Sequence, residues 1–280
     1  MKSLALVSML AACSYTPSAG QPEGDDAMST GDDATQPSPD GAPATVAPCS
    51  APDPTGLVLC LEMEDDVADG TLLDSSPRQH DAAAQNLSAA MRTIPAMSPA
   101  AEIGPTAVIR IPESADFDRD AAYTIAMWIR PNTLPATGTI YGLIDHEQQF
   151  AMLIGRSSVD DSLQNRCVHT GVSRFEFTEQ LPEDAWSFLA CTWDGTDFCA
   201  SRWSAGRDTE RFCHKPVLPP SATGSQGLAI GHLSELGEPH SRFDGAIDSV
   251  QIYDRGMSAD QLCTVIGEPA GCLPCTVCEP

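Results

Sequence analysis

Residues 123–130 read Tyr-Thr-Ile-Ala-Met-Trp-Ile-Arg and are followed by a proline. Ile125, Met127 and Ile129 occupy alternate positions in this stretch, which is also rich in aromatic and β-branched residues. Alternate side chains of a β-strand lie on the same face of the sheet. The stretch therefore predicts a strand with one face in a hydrophobic core, and it favours an all-β fold.

Short apolar runs separated by turn residues extend to both sides of this strand, a pattern typical of an all-β domain. The other predicted strands cover residues 57–64, 107–111, 141–145, 150–155, 166–170, 174–178, 186–193, 198–203, 209–213, 227–231 and 249–253. Ser258–Leu262 predicts one helical turn, capped by the serine. So many alternating strands need two facing antiparallel sheets to bury one face of each.

Four blocks of this sequence resemble the LamG-like (concanavalin A-like) jelly-roll domains of exported bacterial proteins. They are GLVLCLEMED (56–65) with Asp74-Ser-Ser-Pro-Arg-Gln-His-Asp81, YTIAMWIRP (123–131), WSFLACTWDG (186–195), and LAIG (228–231) with FDGAIDSVQIYDRGMSADQL (243–262). The resemblance implies a concanavalin A-like jelly-roll sandwich of two antiparallel sheets over residues 56–262, with the first and last strands side by side. Trp128, Trp186 and Trp193 are expected in the core between the sheets.

The N-terminal residues 1–13, MKSLALVSMLAAC, predict an export signal, because the apolar run after Lys2 is too short to span a bilayer. The ending LAAC resembles a bacterial lipobox, which implies a lipid on Cys13. Ser14 after it then implies the outer membrane or cell surface. The alternative is ordinary secretion with cleavage near Ser18 and Ala19. Either interpretation places the protein outside the cytoplasm.

Residues 14–55 contain eight prolines and seven acidic residues, and no Lys, Arg, Leu, Ile, Phe or Trp. Such a composition cannot bury enough apolar surface to offset the entropy of ordering. We predict a disordered, extended tether between the anchor and the folded domain. The net charge of −24 argues against nucleic acid as a partner and against electrostatic docking on anionic lipid.

The chain has eleven cysteines, so ten remain if Cys13 is lipidated. An even number of thiols in an exported protein indicates disulfides. Cys199 and Cys213 lie symmetrically about a predicted hairpin turn, and we predict that they form a disulfide. Cys167 and Cys191, on predicted neighbouring strands, are the second predicted pair.

The pairing of the other six cysteines stays open from the sequence: Cys49, Cys60, Cys263, Cys272, Cys275 and Cys278. The resemblance implies bonds between the N-terminal edge of the domain and the C-terminal tail, residues 263–280. The three cysteines of the tail also allow a zinc or redox site, but an oxidising compartment favours structural disulfides.

The resemblance also implies a structural Ca²⁺ site where the first strand meets the last. Glu64 and Asp248 occupy the matching positions, and Asp74 is the third candidate ligand. Carboxylate oxygens suit Ca²⁺. The alternative is that these are solvated or turn-capping carboxylates.

Catalytic motifs are scarce in this sequence. It has no nucleophile elbow, no phosphate-binding glycine loop and no zinc-protease motif. The acids at 64, 66 and 69 only partly match the spacing of laminarinase-like glycosidases, which need two positioned carboxylates. We therefore expect a surface-anchored, non-catalytic module that binds a glycan or a protein. A structural envelope lipoprotein without a small ligand is the alternative, and a glycoside hydrolase is a remote third.

Overall fold

The computed structural model describes residues 55–63, 70–94, 97–118, 121–146, 149–169, 181–205, 209–215, 227–233 and 242–266. The predicted signal and the predicted tether up to residue 54 lie outside these residues, as do Glu64 and the tail from residue 267. Cys13 and Cys49 lie outside them as well. The predicted strand at 174–178 also lies outside them.

The described residues form fifteen β-strands and one short α-helix. The strands are β1 (Leu57–Leu61), β2 (Thr71–Leu72), β3 (Ala82–Gln85), β4 (Ser88–Arg92), β5 (Ser98–Ile103), β6 (Val108–Ile111), β7 (Tyr123–Pro131), β8 (Ile140–His146), β9 (Phe150–Arg156), β10 (Leu163–His169), β11 (Ser187–Trp193), β12 (Phe198–Ser204), β13 (Glu210–His214), β14 (Leu228–Ile230) and β15 (Gly245–Tyr253). The helix α1 covers Ala259–Ile266. The predicted all-β class is therefore confirmed.

The strands form two antiparallel sheets. The eight-stranded sheet has the order β13-β12-β11-β7-β15-β5-β4, and β1 also pairs with β15. The seven-stranded sheet has the order β10-β9-β8-β14-β6-β3-β2. The first and last strands thus lie side by side, as the resemblance implied. The concanavalin A-like jelly-roll sandwich is confirmed.

The main core lies between the two sheets. Ile125, Met127 and Ile129 of β7 are buried there, as their alternation predicted. The seven-stranded sheet contributes Ile109 and Ile144 to the same cluster. Full burial of a side chain of this size contributes about 1.5–3 kcal/mol, so this shared core is what holds the two sheets together.

A second buried cluster corrects the expectation for two of the tryptophans. Trp193 lies in the core between the sheets, whereas Trp128 and Trp186 belong to a separate cluster. Trp128 stands between Met127 and Ile129, so its side chain points to the outer face of the eight-stranded sheet. Leu262 of α1 is part of this outer cluster. Both faces of the central strands are therefore buried.

Four strands between β1 and β6 were missed by the sequence patterns. β3, β4 and β5 are rich in alanine, and β2 has only two residues. Alanine has a low strand propensity and gives little hydrophobic contrast, so alternation is weak in these segments. They form strands because they pair with better-formed neighbours, as β5 does with β15.

The helix α1 extends four residues beyond the predicted turn. The hydroxyl of Ser258 accepts a hydrogen bond from the amide of Gln261 at 3.3 Å, which is the predicted N-cap. No helix among the described residues is both long and apolar enough to cross a membrane.

The structure contains both predicted disulfides. Cys199 and Cys213 are directly paired across β12 and β13. Cys167 and Cys191 are also bonded, but they lie on β10 and β11, which belong to different sheets. This second bond therefore crosses the core and links the two sheets. Cys60 is disulfide-bonded as well.

Candidate functional site

An open cleft lies at one end of the sandwich, where three loops meet the start of β8. Its volume is about 260 Å³. Its walls come from the β5–β6 turn, the β7–β8 loop, β8 itself and the segment that leads into β15. The lining residues are Pro105, Ala136, Thr139, Tyr141, Arg242, Phe243 and Asp244.

The floor of the cleft is held by backbone contacts. Gly142 forms an isolated bridge with Arg242, which joins β8 to the segment before β15. The amide of Phe243 donates to the carbonyl of Gly231 at 2.9 Å, and its side chain is fully buried. The amide of Asn132 donates to the carbonyl of Asp244 at 2.9 Å. The residues on either side of Phe243 are therefore fixed at the rim.

Tyr141 supplies an aromatic surface in this cleft. Its ring is half-buried and packs against the main core. Its hydroxyl makes no hydrogen bond to any residue that the structure describes. A tyrosine placed in this way offers an apolar face and a polar tip to a ligand. Thr139 adds a hydroxyl, which donates to the carbonyl of Ala136 at 2.7 Å.

Arg242 and Asp244 bring opposite charges to the same wall. The Nη1 group of Arg242 donates to the carbonyl of Ala107 at 3.1 Å, which orients the guanidinium. The Oδ2 atom of Asp244 accepts a hydrogen bond from the Thr133 hydroxyl at 3.1 Å. Both side chains are partly exposed. The cleft can therefore donate hydrogen bonds to a polar ligand and accept hydrogen bonds from it.

A buried histidine lies behind the cleft. The Nε2 atom of His232 is 3.2 Å from the Nη2 group of Arg110, and its Nδ1 atom is 3.3 Å from the carbonyl of Ile230. A guanidinium can only donate, so Nε2 accepts and Nδ1 carries the proton. Burial, followed by the positive charge of Arg110, lowers the pKa of His232 below its ordinary value. The imidazole is therefore held neutral.

Asp74, one of the three predicted calcium ligands, is used inside the protein. Its carboxylate accepts hydrogen bonds from the amides of Cys60 and Ser76, each at 2.8 Å, and from the amide of His80 at 2.7 Å. The hydroxyl of Ser76 also donates to it at 2.7 Å. These bonds fasten the turn after β2 to the first strand. The structure thus gives Asp74 a turn-stabilising role.

Asp248, the second predicted calcium ligand, is fully buried and paired with Arg92. The Nε group of Arg92 donates to its Oδ2 atom at 2.6 Å. Burial raises the pKa of Asp248, and Arg92 beside it acts in the opposite direction. In this structure the guanidinium occupies the place beside Asp248 that a cation would take. Glu64 lies outside the described residues, and calcium binding by the full set stays a prediction.

The cleft itself was missed by sequence analysis. Tyr141, Arg242 and Asp244 belong to segments about a hundred residues apart, and no local motif connects them. Arg242 and Asp244 flank a phenylalanine that matched the family pattern, but that pattern is structural. Tyr141 comes close to Arg242 and Asp244 only because β8 lies beside the segment that precedes β15.

The sequence matches a family described as the concanavalin A-like lectin/glucanases superfamily over residues 104–263. This match covers more than half of the chain and includes every segment that lines the cleft. None of the curated protein sequences is similar enough to this chain to count as a match.

Solved structures with the same fold include both enzymes and binding domains. Domain 4 of AbnA, a GH43 extracellular arabinanase from Geobacillus stearothermophilus in complex with arabinotriose, has a TM-score of 0.56 and 16% identity, covering 75% of this chain and 98% of that one. Trypanosoma rangeli sialidase in complex with sialic acid has a TM-score of 0.53 and 13% identity, over 75% of this chain and 32% of that one. The botulinum neurotoxin serotype C1 binding domain has a TM-score of 0.51 and 11% identity, over 76% and 52%. At these identities the likeness shows the fold alone.

Proposed function

This chain belongs to the concanavalin A-like lectin/glucanases superfamily, and we propose that it is an exported, non-catalytic module that binds a glycan in the cleft beside Tyr141. The fold is shared by enzymes and by binding domains, so the proposal depends on the cleft and not on the fold. The observation that carries it is that the half-buried Tyr141 lines the same cleft as Arg242 and Asp244.

The chemistry of the cleft matches that of a sugar. A sugar ring has an apolar face, which packs on an aromatic ring, and hydroxyl groups, which need donors and acceptors around its edge. Ligand sites of this kind are concave and combine aromatic surface with a few convergent polar groups. Tyr141 provides the aromatic surface, and Thr139, Arg242 and Asp244 provide the polar groups.

Binding is favoured over hydrolysis by the number of carboxyl groups that line the cleft. Most glycosidases need two carboxyl groups on either side of the bond that is cleaved. Among the described residues that line this cleft, Asp244 is the one carboxylate. Its Oδ2 atom accepts a hydrogen bond from the Thr133 hydroxyl at 3.1 Å, which fixes its orientation at the cleft wall.

Export is supported by the disulfides of the described residues, because such bonds persist in oxidising compartments. We extend the proposal to the N-terminus: a lipid on Cys13 anchors the protein at the outer membrane or cell surface, and residues 14–55 act as the tether. Mass spectrometry of the exported protein tests the lipid. A mature N-terminus at Cys13 with diacylglycerol supports it, and an unmodified N-terminus near Ala19 contradicts it.

The binding proposal is tested with the oxidised chain on a glycan array, followed by calorimetry with the strongest hit. Tyr141→Ala should weaken binding by about tenfold or more, because buried aromatic contacts dominate binding energies. Tyr141→Phe keeps the aromatic ring and should lose less affinity than Tyr141→Ala. Asp244→Asn should also weaken binding, whereas Asp260→Asn, on the exposed side of α1, is the matched control and should not.

Three results would contradict the proposal. A blank array would favour the structural envelope role. Reproducible binding that Tyr141→Ala leaves unchanged would place the site elsewhere. Release of new reducing ends from a bound oligosaccharide would show catalysis.

A further inference from the structure

A second group of polar side chains lies at the end of the seven-stranded sheet where β6 and β8 finish. Glu113, Asp118 and His146 each offer one ligand atom, and these three atoms all lie within 4.8 Å of one another. The Nε2 atom of His146 is 3.1 Å from the Oε2 atom of Glu113. The Nε2 group of Gln149 donates to the Oδ1 atom of Asp118 at 2.9 Å, so its amide lies in the same group.

The sheet topology explains why residues so far apart in sequence meet here. β14 pairs antiparallel with β6 on one side and with β8 on the other. β6 and β8 are therefore parallel to each other, and the carboxyl ends of both strands lie at the same end of the sheet. Glu113 follows β6 by two residues, and His146 is the last residue of β8.

Local contacts hold the four side chains in place. The amide of Asp118 donates to the carbonyl of Ala115 at 3.3 Å, which closes a turn after β6. The amide of Gln149 donates to the carbonyl of His146 at 2.8 Å, which closes the turn after β8. The ring of Phe117 lies 6.2 Å from the imidazole of His146, edge-on, and packs between the two turns.

Two buried polar atoms in this group lack a hydrogen-bond partner among the described residues. They are the Oε1 atom of Gln149 and the Nδ1 atom of His146. Gln149 is 2% exposed and His146 is 0% exposed. Leaving a buried polar atom without a hydrogen-bond partner destabilises the folded state. The amide of Gln149 can turn over, which would direct its oxygen at the carboxylate of Asp118, and this arrangement is favourable only with a cation between them.

We propose that Glu113, Asp118, His146 and Gln149 bind one divalent first-row transition-metal ion, Zn²⁺ or Mn²⁺. Carboxylate and amide oxygens with one imidazole nitrogen form a mixed donor set, which suits these ions, whereas Ca²⁺ takes oxygen ligands. The imidazole and the carboxylate of Glu113 form a hydrogen bond of 3.1 Å, and this length also falls in the range of roughly 3.0–3.4 Å that separates adjacent ligand atoms bound to one ion at about 2.1 Å. Glu113 is partly exposed, which leaves a path for the ion to enter.

The bound ion joins the turn after β6 to the turn between β8 and β9, and it gives the Oε1 atom of Gln149 a partner. It stabilises the folded state by an amount that rises with the logarithm of the ion concentration above Kd, because the unfolded chain holds no preformed site. This site is separate from the cleft and does not depend on glycan binding.

The test uses the oxidised chain without a histidine tag, stripped with a chelator and titrated calorimetrically with ZnCl₂, MnCl₂ and CaCl₂ in turn. We expect one site for Zn²⁺ or Mn²⁺ and a matching rise in Tm. Glu113→Gln and Asp118→Asn preserve the shape of the side chain and should each weaken binding at least tenfold. Co²⁺ as a spectroscopic probe should show visible absorption bands that His146→Gln changes.

The matched control is Asp116→Asn. Asp116 pairs with the Nε2 atom of His80 at 3.0 Å, which resembles the pair of Glu113 with His146, but it lies outside the group. This variant should bind the ion as the wild type does. The proposal is overturned by the absence of Zn²⁺ and Mn²⁺ binding at millimolar concentration, by binding of Ca²⁺ alone, or by equal binding in Glu113→Gln and the wild type.

Discussion

The guanidinium of Arg92 on β4 lies 2.6 Å from the carboxylate of Asp248 on β15, and both side chains are buried on the outer face of the eight-stranded sheet. The same guanidinium lies 5.0 Å from the centre of the Trp128 ring. One arginine thus connects an edge strand to the central strand and to its outer aromatic cluster. The guanidinium of Arg92 thereby gives the buried Asp248 carboxyl group a partner of opposite charge.

Arg92→Met should destabilise the protein by about 3–5 kcal/mol, because it leaves the Asp248 carboxylate buried without a partner. Urea unfolding followed by tryptophan fluorescence measures the change. Asp161→Asn removes the exposed pair with Arg156 and is the control, expected to change stability by less than about 1 kcal/mol. Equal small effects from both variants would show that the buried pair contributes little.

Replacing Cys199 and Cys213 together with serine should lower the free energy of unfolding by about 3 kcal/mol, as expected for a loop of this length. The bond between Cys167 and Cys191 closes a longer loop and links the two sheets through the core. Replacing that pair with alanine should therefore cost more. Guanidinium unfolding of both double variants checks the order, and a larger loss for the hairpin pair would contradict it.

Gly142→Ala should destabilise the fold and disturb the cleft. A Cβ atom on Gly142 would lie 2.6 Å from the carbonyl carbon of His232, and that neighbour is backbone that cannot turn away. Overpacking of this kind costs about 1–3 kcal/mol. Gly104→Ala is the control, since a Cβ atom there meets nothing within 4 Å. Scanning calorimetry of both variants measures the difference, and equal Tm values would contradict this account.

Stability should fall on acidification partly through His232. Its pKa is lowered in the folded state, so the unfolded chain binds the proton more tightly. The contribution of His232 is fully present above about pH 6.5, the ordinary histidine value, and is lost as the pH falls below it toward the lower folded pKa. His232→Gln keeps an acceptor for Arg110 and removes the titration.

The His232→Gln variant should therefore lose less stability than the wild type between about pH 7.5 and pH 5. Urea unfolding at several pH values gives the difference curve. His214→Gln, on β13, serves as a control substitution at another histidine. Parallel curves for His232→Gln and the wild type would show that His232 does not titrate with folding.

The strand that decides the fold could be predicted from sequence because its alternation is local. Tyr123–Pro131 forms β7 with Ile125, Met127 and Ile129 in the core. The pairing of Cys199 with Cys213 was equally local, since symmetry about one hairpin sets its register. Both inferences needed only residues that are close together in the chain.

The face on which Trp128 lies could not be predicted in the same way. Both faces of β7 are buried, so alternation does not distinguish the inner core from the outer cluster. The alanine-rich strands β3 to β5 gave too little contrast to predict. Cys167 and Cys191 could be paired from the sequence, but only the structure shows that their bond crosses from one sheet to the other.

By itself the sequence determined the all-β class, the main strands and the hairpin disulfide, because side-chain periodicity and turn residues act over a few positions. The tertiary structure alone decided which distant side chains meet: Tyr141 with Arg242 and Asp244 at the cleft, and Glu113 with His146 where β6 and β8 end on either side of β14. These meetings depend on strand order and on parallel or antiparallel neighbours. Many chain segments must pair before that order exists, so no local pattern records it.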